Sequence, residues 1–202
     1  MRADTFIETG NELAGTRPSL RASGLAMIAG GLLWQPMLAF EKLADLNRAS
    51  SNWQWYLDQA GFLVAMALLL MGLYGLDQAR IAGEGRMRWA MHGLVLAWAL
   101  LVGGQVLNLL GLHDNVLVPV GGLGSYPAAI IAGIGVVLVD RLPGWRRWTL
   151  LVQGLYMTFI VFLPLVIFNL DGPSWVVEAV WQLMWALVGV AALTTQGSRQ
   201  AA

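Results

Sequence analysis

Residues 56–76 read YLDQAGFLVAMALLLMGLYGL, and after Asp58 and Gln59 this run holds no charged side chain. A helix rises 1.5 Å per residue, so about 20 apolar residues cover a hydrocarbon core about 30 Å thick. The run predicts a membrane-crossing helix. The same test selects 20–40, 88–111, 122–140, 148–169 and 174–195 as further spans. The connectors, 41–55, 77–87, 112–121, 141–147 and 170–173, are too short to fold as separate domains. The expected fold is all-α: a single polytopic bundle of six transmembrane helices occupying 1–202, with no second domain.

Composition agrees with that reading. Of 202 residues 57% are hydrophobic and 12% charged, and the mean hydropathy is +0.63. These values lie well outside those of a soluble domain and exclude a soluble enzyme. Lys plus Arg and Asp plus Glu number 12 each, so there is no basic excess to neutralise a phosphate backbone, and nucleic acid is not an expected partner. The chain has no Cys, which removes disulfides, thiolate metal sites and Cys nucleophiles together.

Orientation follows from the cationic connectors, which are retained on the cytoplasmic side. Arg2, Arg17 and Arg21 precede span 1; Arg80, Arg86 and Arg88 lie between spans 2 and 3; Arg141, Arg146 and Arg147 lie between spans 4 and 5; and Arg199 follows span 6. Only Lys42 and Arg48 fall on the other side. The expected location is the inner (cell) membrane, with both termini cytoplasmic. Residues 1–18 hold Asp4, Glu8 and Glu12 and no apolar core, so they read as a cytoplasmic tail and not as a secretory signal.

Local signals mark the ends of the spans. Ser51 and Gln54 have the spacing of a capping box opening span 2. Asp171 is a candidate cap for span 6, with Pro173 tolerated in a first turn. Trp53, Trp55 and Trp175 fall at the expected outer interface and Trp89, Trp145 and Trp148 at the inner one, where amphipathic rings collect. Trp34, Trp98, Trp181 and Trp185 lie deeper. Pro36, Pro127 and Pro164 are candidate kinks.

Polar groups inside a span require pairing or a purpose. On the expected topology Gln35, Asp58, Gln59, Gln105, Asn108, Ser125, Asn169, Glu178 and Gln182 all fall in the outer half, and the inner half holds little besides His92 and Gln153. Trp175, Glu178, Gln182 and Trp185 share one helix face, as do Trp98, Gln105 and Asn108. Two such aromatic and polar stripes predict an outward-facing cavity whose ligand-binding residues are Gln35, Trp98, Gln105, Asn108, Glu178, Gln182 and Trp185. The plainer reading of the amides is interhelical glue, and Glu178, about a turn inside its span, is able to snorkel to water. Ala22, Ala26 and Gly30 in span 1, and Gly124, Ala128 and Ala132 in span 4, stack small residues where a helix or a partner subunit can approach closely.

Other chemistry lacks its parts. Gly122-Leu123-Gly124-Ser125 has a likeness to rhomboid proteases, but span 6 carries no His to activate the Ser. His92 and His113 stand about 30 Å apart along one helix and cannot ligate one haem. No catalytic set, metal site or cofactor signature is present, so an enzyme is not the expected reading, and any cofactor is unknown. His113 and Asp114 near Glu178 are the one pair suited to a metal or a proton.

The length, the six spans with both ends on one side and the polar outer half resemble the substrate-binding S components of energy-coupling-factor vitamin transporters. That resemblance implies a small molecule bound from outside. It also implies a membrane partner docked on the first helix, a role for Ala22, Ala26 and Gly30. The expected function is binding or transport of a small amphipathic molecule, with membrane lipids as surroundings. The alternative is a non-catalytic structural or assembly subunit of a larger membrane complex.

Overall fold

The computed structural model describes residues 20–44, 46, 53–170 and 173–200, with side chains described as far as 195. It is all-helical, with six helices long and apolar enough to cross a membrane: α1 Leu20–Leu43, α2 Trp53–Gln78, α3 Arg86–Leu109, α4 Leu117–Val139, α5 Gly144–Phe168 and α6 Trp175–Gln200. Each expected span finds its helix. The surface facing outward is itself apolar, with Leu32, Val64, Met71, Leu96, Ile131 and Leu187 exposed along successive helices. A soluble domain would hide such residues, so a six-helix bundle of this kind supports a multi-pass membrane protein.

The ends differ from expectation by a few residues, for local reasons. Helix α4 begins at Leu117 and takes Pro119 into its first turn, where a missing N–H costs no hydrogen bond. At the start of α6 the Val177 N–H donates to Ser174 Oγ at 3.4 Å, so Ser174 caps the helix. Ser51 and Asp171 lie outside the described residues. Helices α1 and α4 continue through Pro36 and Pro127. Span α5 is composite, running from a 3-10 turn at Gly144–Trp148 through α-turns at Thr149–Tyr156 into a π segment at Met157–Phe162 and a last α-turn at Leu163–Phe168. Pro164 cannot donate to the carbonyl of Ile160, and the widened turn falls on that residue.

Each helix packs against its neighbours in sequence, and α6 closes on α1, so the six form a ring. Helices α1 and α6 close on each other at Gly24 and Gly189. A Cβ built on either would stand 2.6 Å from the other's carbonyl oxygen, so only glycine admits this approach. Gly30 is buried against α2, where a Cβ would meet the Ala65 carbonyl at 2.8 Å. Of the two small-residue stripes, Ala22 and Gly124 are exposed, Ala26 and Ala128 half-buried, and Gly30 and Ala132 buried inside the bundle.

The end where α1, α3 and α5 begin carries Arg21, Arg80, Arg86, Arg88, Arg141, Arg146 and Arg147, and is called here the arginine end. It is stitched across helices by Arg146 Nε donating to Thr194 Oγ1 at 2.8 Å and Arg141 donating to the Ala79 carbonyl at 3.2 Å. Among the described residues the far end carries Glu41, Asp58, Asp114 and Glu178 against Lys42 alone.

Candidate functional site

Buried polar side chains occupy both halves of the ring, which corrects the expectation that they concentrate in one. Asp58, Gln105, Ser125 and Gln182 lie in the far half, and Ser23, Asp77, Thr149, Gln153 and Thr195 lie towards the arginine end. They form four constellations.

The first is a groove of about 410 Å³ at the far end, between α1 and α6. Its walls include Leu38, Ala39, Leu43 and Trp175, with Gln35 and Lys42 as the polar members. Gln35 Nε2 donates to the carbonyls of Ala179 at 3.2 Å and Gly31 at 3.4 Å, so one amide ties the two helices together. One residue along α6, Glu178 Oε1 accepts from Trp34 Nε1 at 3.4 Å. Trp34 in turn packs on Phe62 at 5.0 Å and Trp181 at 6.4 Å.

The second is a relay of side-chain amides between α2 and α3. Asn115 Nδ2 donates to Asn108 Oδ1 at 2.8 Å, Asn108 Nδ2 to Gln105 Oε1 at 3.3 Å, Gln105 Nε2 to Gln59 Oε1 at 2.7 Å, and Gln59 Nε2 to Asp58 Oδ2 at 3.2 Å. Trp55, near the start of α2, is buried and meets His113 edge-on at 5.5 Å. That contact packs His113, from the connector between α3 and α4, against α2.

The third lies inside the ring. Trp98 and Trp185 are fully buried and cross at 88° with centroids 5.2 Å apart, a favourable T-shaped pair. An indole N–H only donates, so the Gln153 side-chain oxygen must face the two indoles near it. In that orientation it accepts from Trp181 Nε1 at 2.8 Å and Trp185 Nε1 at 2.9 Å. Gln182, also fully buried, has neither amide atom hydrogen-bonded, and the same is true of Trp98 Nε1.

The fourth is at the arginine end, where His92 Nε2 of α3 stands 3.2 Å from Asp77 Oδ2 of α2. Asp77 is buried while His92 is 42% exposed, so solvent reaches the pair through the imidazole.

The seven residues expected to bind a ligand therefore do not share one place. Gln35 lines the groove, while Glu178, next to Ala179 in sequence, is not among its walls and bonds to Trp34; Gln105 and Asn108 lie in the relay, and Trp98, Gln182 and Trp185 in the packed interior. Sequence reading gave no role to Gln153, took Asp58 and Gln59 as the mouth of a span, and left Asp77 in a connector. A usable signal existed for one of these pairs. Residues equally far from a short antiparallel turn meet at one depth, and the turn at 79–85 relates Gln59 to Gln105 in this way. Among the described residues no group of three His, Cys, Asp or Glu could hold a metal ion. Compared with protein-family models, curated proteins and solved structures, the chain matches none.

Proposed function

We propose that this multi-pass protein binds a small amphipathic molecule in the groove between α1 and α6, with the far end outside the cell and both termini in the cytoplasm. The observation that carries the reading is the groove itself. Its volume of about 410 Å³ lies within the usual range for small-molecule sites. Its composition is that of an amphiphile site, with apolar walls from Leu38, Leu43 and Trp175 and polar groups from Gln35 and Lys42. The orientation rests on the Arg-rich end being the retained one.

A native mass spectrum of the protein released from detergent tests the binding. A retained small molecule is expected in the wild type, and Ala179→Phe, which fills the groove, should remove it. Equal retention in wild type and Ala179→Phe sinks the reading. For the orientation, Ser198→Cys in this Cys-free chain should resist an impermeant thiol reagent in intact cells and react after lysis. Strong labelling of intact cells reverses the topology.

A second reading, an assembly subunit, is supported by the amide relay as interhelical glue and by the exposed Gly124 on α4, where a partner helix could lie close. It expects Ala179→Phe to be silent and Gly124→Leu to disrupt a complex.

A further inference from the structure

The relay between α2 and α3 has a direction, and both of its ends fix it. At one end the Asn115 amide nitrogen also donates to the carbonyls of Gly104 at 3.2 Å and Leu112 at 3.0 Å, which can only accept. At the other, Gln59 presents its nitrogen to the Asp58 carboxyl group. Between these points no amide can turn over without setting two acceptors or two donors face to face. All four amide dipoles therefore point the same way, towards Asp58, and aligned hydrogen bonds polarise one another.

Asp58 is 0% exposed, and its second oxygen, Oδ1, has no hydrogen-bond partner. No described residue satisfies this buried carboxylate oxygen, which is costly to leave unpaired. Glu41 of α1 stands near enough for its charge to act on Asp58. Lys42 pairs with Glu41 at 3.7 Å and is 54% exposed. Among the described residues no Lys or Arg pairs with Asp58.

We propose that Asp58 Oδ1 is a binding position for a monovalent cation, held between α1 and α2 at the far end and oriented by the relay behind it. A single charge fits better than two, since the described residues supply no third carboxylate or imidazole as a divalent ion would need. The cation is either a bare alkali ion or the ammonium group of an organic molecule. The site is separate from the groove and stands whether or not the groove holds an amphiphile.

The test is thermal unfolding of the full chain in detergent, in sodium, potassium or methylammonium chloride, against choline chloride at equal ionic strength. Choline has no N–H donor and is too bulky for a buried oxygen. A cation a hundredfold above its Kd should raise the melting temperature by about 5 °C. Stabilisation by sodium or potassium alone assigns an alkali ion, and stabilisation by methylammonium alone assigns a ligand amine. Asp58→Asn keeps an oxygen for Gln59 to donate to, and should weaken the cation response at least tenfold in concentration. Should that variant fail to fold, Glu41→Gln, on a partly exposed side chain, must weaken it instead. Identical melting in all four salts, or a cation response that survives these substitutions unchanged, overturns the proposal.

Discussion

Replacing Trp185 by Ala is expected to cost about 3–5 kcal/mol of stability, the range for truncating a fully buried aromatic. Trp185 is 0% exposed, packs edge-on against Trp98 and donates to Gln153, so its loss removes contacts with α3 and α5 together. Inside a lipid bilayer the transfer of apolar surface from water contributes nothing to helix association, and packing carries the energy. The cost therefore comes from the cavity and the lost dispersion contacts. Leu187, two residues along the same helix and 45% exposed, supplies the control: Leu187→Ala should stay within about 0.5 kcal/mol. Chemical unfolding in mild detergent measures both. A Trp185→Ala loss below about 1 kcal/mol would mean that the interior is not packed as described.

The second large effect is expected at Gln153. Two estimates compete. Polar pairs between membrane helices average only about 0.6 kcal/mol each, which would make Gln153→Leu cost little more than 1 kcal/mol. That average describes removing a pair whose members find other partners. Here the substitution leaves two indole N–H groups facing an apolar side chain in a closed interior, at about 1–3 kcal/mol apiece. We therefore expect Gln153→Leu to cost about 2–6 kcal/mol. The decisive measurement is a double-mutant cycle with Trp181→Phe and Trp185→Phe, which keep an aromatic ring but remove the N–H. In the background of both, Gln153→Leu should become nearly neutral. An unchanged cost there would show that Gln153 acts through its shape and not through its oxygen.

The spans were legible because hydropathy sums over some twenty residues and tolerates exceptions. Their ends were not, because an end depends on one or two residues. Val116-Leu117-Val118-Pro119 reads as a connector until Pro119 is recognised as a first-turn residue. The burial of Trp98, Gln105, Gln182 and Trp185 followed from helical spacing alone, since a stripe shared by aromatic and amide groups must turn inward. Gln153 stood alone on an apolar helix, with no stripe to indicate a role, and its partners lie on α6. Depth along a helix can be read from sequence, whereas adjacency of distant helices requires the ring. Asp58 shows that gap: its place inside a span was legible, but its burial and its link through Gln59 to Gln105 of α3 were not.

The glycine contact that joins α1 to α6 also has a meaning in time. Chain synthesis proceeds at roughly 5–20 residues per second, so α6 leaves the ribosome on the order of ten seconds after α1. The α1–α2 and α3–α4 hairpins can form at once from neighbouring segments. Throughout that interval Gly24 has no Gly189 to meet, and the side of α1 that ends up against α6 remains open to lipid, to a chaperone or to another nascent helix. The ring is thus assembled hairpin by hairpin and locked only by its latest member, so the order of translation, and not the strength of any one contact, decides when the far-end groove comes into being.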